Sequence, residues 1–366
     1  MNLKGLFSHC FFCCTLQFSI AQYEGYSQKN WENQLKIEDE FLKLIDHSSF
    51  KKHLEKLTKR PHVVGSMANT ELQKYMGEVM QNAGFKVENY PYDVYLPNKP
   101  GTSLIEIVTP NRYILNQKEN IIPTDPFSKD PLLWKGWNAF SGSGDVISQV
   151  VYANYGRKED FEKLKRLGIN VKGKIVIARY GGNFRGFKAK FAEENGAAGL
   201  IIYTDPKDSG FTKGLVYPEG PYYNESTIQR GSLLTTDFTG DPLTPFEPAL
   251  PLEGKQKVKR IDPKKAQLHK IPVTPISYGE AQKILEQMKG KPVPQSWQGG
   301  LPFTYRLEGG DLLTVRLKVD QKIDFVRAAN VVGILKGDES PDEWIILGCH
   351  YDAWGFGATD PNSGTA

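Results

Sequence analysis

Apolar positions recur at helical spacing near the start of the chain. Trp31, Leu35, Ile37, Phe41, Leu42 and Ile45 form one stripe and predict a helix from Lys29 to His47. Ser49 to Thr58 continues as a second short helix, and Arg60-Pro61-His62 breaks it. Asn69 is expected to cap a helix running to Ala83, with Leu72, Tyr75, Met76, Val79 and Met80 inward and Gly84 ending it. Phe85 to Leu96 then alternates like a strand, and Pro97 to Pro100 punctuates a boundary.

From Thr102 the pattern changes to short strands separated by long Pro/Gly-rich loops. Gly173 to Tyr180 and Ala197 to Tyr203 read as buried strands flanking a helix over Phe184 to Asn195, a unit that suits a small α/β insert. Gly279 to Lys289 predicts another helix, closed by Gly290. Ala328 to Leu335 and Glu343 to Cys349 are expected to pair as strands across a polar turn, Lys336 to Asp342. No internal repeat or low-complexity tract interrupts this α/β texture.

With 366 residues, 39% apolar and 24% charged, the chain is long enough for about two globular domains. The net charge is +4, with Lys and Arg scattered rather than run together, so no nucleic-acid partner is expected. Residues 1–21 differ in kind. Lys4 supplies a basic start, Leu6 to Ile20 an interrupted apolar region, and Ser19-Ile20-Ala21 a cleavage site. A cleaved signal and a secreted or periplasmic protein are expected, a signal-anchored membrane protein being the alternative. Cys10, Cys13 and Cys14 would leave with that segment. Cys349 would remain alone, which excludes a disulfide framework and a thiolate zinc cluster. Asn224-Glu225-Ser226 is a glycosylation acceptor that matters only in a eukaryotic secretory pathway.

The candidate chemistry lies at the end of an apolar run, where Cys349-His350-Tyr351-Asp352 opens a Gly-rich stretch reaching Asp360-Pro361-Asn362-Ser363-Gly364. Imidazole and carboxylate are standard zinc ligands, and a carboxylate on a rigid Asp-Pro turn can bridge two metals. Asp352 is placed to accept the second ring N–H of His350. The same spacing equally suits a histidine that ends a strand and an aspartate that starts a turn, and spacing alone does not choose. His47, His53 and His269 sit in polar settings that suit solvated faces, and His62 at the helix break reads as structural. Dinucleotide, Walker and nucleophile-elbow patterns are absent from the sequence, and Cys349 reads as packing.

The stretch from Gly348 to Gly364 resembles the zinc-binding segment of the glutamate carboxypeptidase II group of dizinc exopeptidases, which also contains the transferrin receptor. Arg60-Pro61-His62-Val63-Val64-Gly65-Ser66 resembles that family's segment before a helix. Asn154-Tyr155-Gly156-Arg157, Lys172 to Gly181, Phe184-Arg185-Gly186, Tyr203 to Pro206, Gln229-Arg230-Gly231 and Gly240 to Pro245 resemble its protease-associated (PA) insert. In the family's order these motifs span about residues 30 to 366.

The resemblance implies an α/β peptidase domain interrupted by a PA insert. A signal at 1–21 precedes the first part of the peptidase domain at 22–97; the insert covers 98–325, and the peptidase domain resumes at 326–366. It implies two zinc ions, with His350 binding one, Asp360 bridging both and Asp352 behind His350. Arg157 would grip a substrate's terminal carboxylate, and Ser232 stands where glutamate-specific members carry asparagine. Thr244 and Glu247 fall where the family offers oxygen ligands to a structural calcium ion. The implied substrates are short peptides with an acidic C-terminal residue, and the intact protein would be a homodimer. The family pattern goes on to a Glu-Glu pair supplying the general base, another acidic ligand and a final histidine. The expectation is therefore an incomplete portion, inactive alone. A non-catalytic receptor-like ectodomain and a PA-domain binding module are the alternatives, and retention of His350 and Asp360 argues against the receptor.

Overall fold

The computed structural model describes residues 25–354. The described residues fall into two compact units, one ending at His53 and the other beginning at Leu54. In the first, Ser27 caps α1 (Gln28–Lys43) by accepting from the Asn30 N–H. The predicted helix is present, but its apolar stripe lies open, with Phe41 and Leu42 each 63% exposed. A second helix, α2 (His47–Thr58), follows.

Within the larger unit, α3 (Met67–Asn82) starts one turn earlier than expected. Ser66, not Asn69, is its cap and accepts from the Asn69 N–H at 3.1 Å. Asn69 is buried instead and donates to the His62 carbonyl. Gly84, at φ +89°, turns the chain out of the helix as glycine does beyond a C-terminus. There follow β1 (Lys86–Leu96), β2 (Thr102–Thr109), β3 (Tyr113–Ile114), β4 (Asn138–Ala139) and β5 (Gly144–Tyr152). Next come α4 (Lys158–Arg166), β6 (Ile175–Arg179), α5 (Arg185–Glu194), β7 (Gly199–Tyr203) and α6 (Pro206–Ser209). The last elements are β8 (Gly231–Ser232), β9 (Val273–Ile276), α7 (Tyr278–Leu285), β10 (Thr314–Asp320) and β11 (Asp324–Ile334).

Seven strands form one sheet in the order β3-β2-β10-β5-β6-β7-β9. It is parallel from β5 through β9 and antiparallel from β5 to β3. The parallel strands are the continuous apolar runs read from sequence. Ile175-Val176-Ile177 and Leu200-Ile201-Ile202 are wholly buried, as strands covered on both faces should be. All its strands come from residues 102–320. β1 and β11 form a separate antiparallel pair, against which α3 packs.

That pairing corrects the expected hairpin. β11 pairs along its length with β1, from Lys86↔Ile334 to Leu96↔Asp324, not with residues 343–349. Those residues form no strand, and Ile345 and Leu347 are each 94% exposed. Their apolar pattern suits a strand covered on both faces, and no described strand flanks them. Among the described residues, no helix is long and apolar enough to cross a membrane.

Candidate functional site

The turn after β5 is built to present Arg157. Asn154 (φ +51°) and Gly156 (φ +61°) reverse the chain, and a side chain at Gly156 would press on Lys188 and Ala178. Asn154 donates to Asp160 Oδ1 at 3.0 Å and accepts from Arg179 Nη2 at 2.8 Å. Asp160 Oδ2 accepts the Arg157 N–H at 3.0 Å, which fixes the backbone at the start of α4. The Arg157 side chain then leaves into solvent, its guanidinium carbon 5.4 Å from the Tyr155 ring centre. No ion pair engages it among the described residues.

Beneath it lies a buried charged layer the sequence did not reveal. Arg179 is 1% exposed, stacks 4.1 Å from the Tyr155 ring centre and pairs with Asp208 at 3.3 Å. The Tyr155 hydroxyl donates to Asp208 Oδ1 at 2.6 Å, and burial pushes its pKa up to about 12. Lys188 is wholly buried and donates to Tyr155 O, Gly181 O and Asn183 Oδ1, each at 2.6 Å. Burial pulls its pKa down to about 7, while three accepting oxygens favour the three-donor ammonium form.

Ser232 sits in the short parallel pair β4–β8. Its Oγ accepts from the Leu234 N–H at 3.1 Å and keeps its own O–H to donate. The preceding Arg230 is wholly buried. It donates to both Glu119 oxygens and to the carbonyls of Trp134 and Ile228, anchoring the segment that carries Ser232. No hydrogen bond joins Ser232 to Arg157.

Thr244 and Glu247 lie in a tight loop around Gly240 (φ +105°). Their carbonyl oxygens approach the place a Gly240 side chain would fill, at 2.6 Å and 3.0 Å from its Cβ position. Thr244 Oγ1 is buried without a hydrogen-bond partner, whereas the Glu247 side chain is exposed. The backbone carbonyls, not the Glu247 carboxylate, thus converge, and oxygen donors of this kind suit a hard cation.

His350 and Asp352 fall together. His350 Nδ1–H donates to the Asp352 carbonyl at 2.9 Å, with the Asp352 carboxylate 3.4 Å away. That bond leaves the Nε2 lone pair for a metal, so the donor chemistry fits zinc. His62 joins them, which its position at a helix break had not suggested. It is 1% exposed, exchanges backbone hydrogen bonds with Ala353, and donates Nδ1–H to Arg60 O at 2.7 Å. Burial lowers its pKa, and it lies close enough to feel the charges of Asp352 and His350. Two more contacts seat the segment: the Tyr351 hydroxyl donates to Ala329 O at 2.8 Å, and Trp354 stacks on buried Trp137 at 4.8 Å. Asp360 lies outside the described residues, as does the expected 1–21 signal. Among the described residues, no three His, Cys, Asp or Glu side chains gather into a metal cluster.

Comparison with known proteins places this geometry. The PA domain model matches residues 143–237. The glutamate carboxypeptidase 2 homolog of Caenorhabditis briggsae is 36% identical over 88% of this chain and 43% of its own length. Aminopeptidase NAALADL1 of Rattus norvegicus is 33% identical over 91% of the chain and 46% of its own. The probable glutamate carboxypeptidase LAMP1 of Arabidopsis thaliana is 34% identical over 98% and 50%. The chain thus spans about half the length of the curated relatives it matches. Among solved structures, an aminopeptidase from Aneurinibacillus sp. strain AM-1 aligns at 17% identity and TM-score 0.43, over 86% of this chain and 55% of that one. The likeness read from the motifs is shown. The chain is glutamate carboxypeptidase II-like across most of its length, with an α/β fold that includes a PA domain.

Proposed function

We propose that this chain contributes the carboxylate grip and the first metal ligands of a zinc-dependent exopeptidase acting on short peptides with an acidic C-terminal residue. The observation that carries the reading is Arg157, an exposed guanidinium on a fixed turn with no acidic partner among the described residues. Such a group is suited to hold a carboxylate through two parallel charge-assisted hydrogen bonds. The Ser232 hydroxyl offers a further donor in place of the asparagine amide of glutamate-specific relatives. A hydroxyl holds the carboxylate less completely than an amide, so aspartate-terminated peptides should also be accepted.

His350 Nε2 and Asp360 would hold zinc, which when bound polarises a carbonyl and lowers the pKa of a bound water. Asp352 fixes the His350 tautomer, and the Ala353–His62 bridge with the Trp354–Trp137 stack holds the segment in place. The Thr244 and Glu247 carbonyls would hold a structural calcium ion. Secretion through residues 1–21, a PA insert bounded at 98–325 and assembly as a homodimer belong to the same proposal.

Calorimetric titration of the zinc-loaded protein with N-acetyl-aspartyl-glutamate and with its C-terminal amide tests the reading. The acid should bind roughly 10- to 100-fold more tightly, the worth of one charge-assisted pair. Arg157→Ala should erase the difference. Equal binding of acid and amide by the unaltered protein would end the carboxylate-grip reading.

A further inference from the structure

We propose that Tyr155 and Gly182 are positioning residues, two jaws of a clamp that presets the Arg157 guanidinium for a planar carboxylate. The inference deepens the reading of Arg157 given above and rests on it.

An exposed arginine ordinarily samples many rotamers, and binding a carboxylate must freeze them. Arg157 is confined before any ligand arrives. On one side lies the Tyr155 ring, 5.4 Å from the guanidinium carbon. On another lies the loop at Gly182. A Cβ there would sit 2.7 Å from Arg157 Nε, 2.8 Å from Nη2 and 2.8 Å from Tyr155 Cγ. Gly182 also has φ +75°, a conformation that side chains rarely adopt. A side chain there would have to displace the guanidinium or the Tyr155 ring.

Both jaws are themselves held. Tyr155 is fixed at its hydroxyl by Asp208 (2.6 Å), and its ring lies 4.1 Å from the buried Arg179. Lys188 staples one jaw to the other, because its single Nζ donates to Tyr155 O, Gly181 O and Asn183 Oδ1. Arg179 is buried against Asn154 and Asp208, and Lys188 is buried on three oxygens. Of the three cations around Tyr155, Arg157 alone faces solvent without a carboxylate. The clamp therefore aims one guanidinium outward and removes much of the ordering that a carboxylate would otherwise have to impose.

The test joins the Arg Nε–H signals of the 15N spectrum to the acid-versus-amide titration, with the Arg157 signal assigned by its loss in Arg157→Ala. In the unaltered protein, Arg157 Nε should be ordered and shifted by the aromatic ring. Gly182→Ala, whose Cβ would press on the guanidinium and on the Tyr155 ring, should mobilise that signal and weaken binding of N-acetyl-aspartyl-glutamate about 10-fold, leaving the amide unchanged. Tyr155→Leu should act in the same direction, and Tyr155→Phe, which keeps the ring but loses the bond to Asp208, should fall between Tyr155→Leu and the unaltered protein. The clamp is overturned if Arg157 Nε is as mobile in the unaltered protein as other exposed arginines. It is overturned equally if Gly182→Ala binds the acid normally. An ordered Arg157 with no preference for acid over amide would instead uphold the clamp and reject the carboxylate reading beneath it.

Discussion

Replacing Glu119 by glutamine keeps its size and removes its charge, leaving the Arg230 guanidinium without a counter-ion where it is 0% exposed. Removing one partner of a buried ion pair costs about 3 to 5 kcal/mol, because the remaining charge stays desolvated. Glutamine can still accept one hydrogen bond, and the Trp134 and Ile228 carbonyls remain at 2.5 Å and 3.1 Å. The lower end applies, so Glu119→Gln should cost about 3 kcal/mol. For a cooperative unit of roughly 200 residues that lowers the melting temperature by about 6 to 12 °C, measurable by calorimetry. Replacing both partners with apolar residues removes the stranded charge. Glu119→Leu with Arg230→Met should therefore cost about 2 kcal/mol less than the sum of the single changes. A Glu119→Gln loss below about 1 kcal/mol would refute the reasoning and show that the pair is effectively solvated.

Lys188 predicts a pH dependence. Its folded pKa is about 7, whereas the unfolded side chain keeps its proton to about 10.4, so the unfolded state binds more protons between these values. Stability should rise with pH from about 7 towards 10, and Lys188→Met should flatten that slope; an unchanged slope would contradict the assignment. Above that window the sign reverses, because Tyr155 and Tyr278 keep their protons to about 12 in the folded state. Millimolar Ca2+ should raise the melting temperature. Gly240→Ala, whose Cβ would meet Thr244 O at 2.6 Å, should abolish that gain, and an equal gain in both proteins would exclude the loop as the ion's seat. In a chelator competition, His350→Ala should weaken zinc affinity by about 100-fold, since a lost ligand removes more than an outer partner whose loss costs 10- to 100-fold. Unaltered affinity would reject His350 as a ligand.

The sequence carried the parallel core well. Ile175 to Ala178 and Leu200 to Tyr203 are continuous apolar runs whose burial on both faces follows from their composition. It failed where two local solutions compete. Ser66 and Asn69 are both good helix caps three residues apart, and the burial of Asn69 against the His62 carbonyl decides between them. It failed again where pairing is distant. The partner of β11 is β1, more than two hundred residues earlier, and no local pattern distinguishes it from the nearer run at 343–349. His350 stands out as a candidate from the apolar run that delivers it into a Gly-rich stretch, whereas Arg157 is a candidate only through motif resemblance. Tyr155 is legible only as part of a motif, and Gly182 and Lys188 carry no sequence signal, because their roles depend on a turn, a loop and a helix meeting in space. His62 was set aside for the same reason, since only the bridge to Ala353 brings it beside His350 and Asp352.

The central claim is that Arg157 receives a peptide's terminal carboxylate. Diffraction from crystals of the zinc-loaded protein grown with N-acetyl-aspartyl-glutamate tests it most directly. The account predicts the C-terminal carboxylate bound by the guanidinium through two parallel hydrogen bonds, with Tyr155 and Gly182 where they now lie. Density for the peptide away from Arg157, or with its amino-terminal end at the guanidinium, would contradict it.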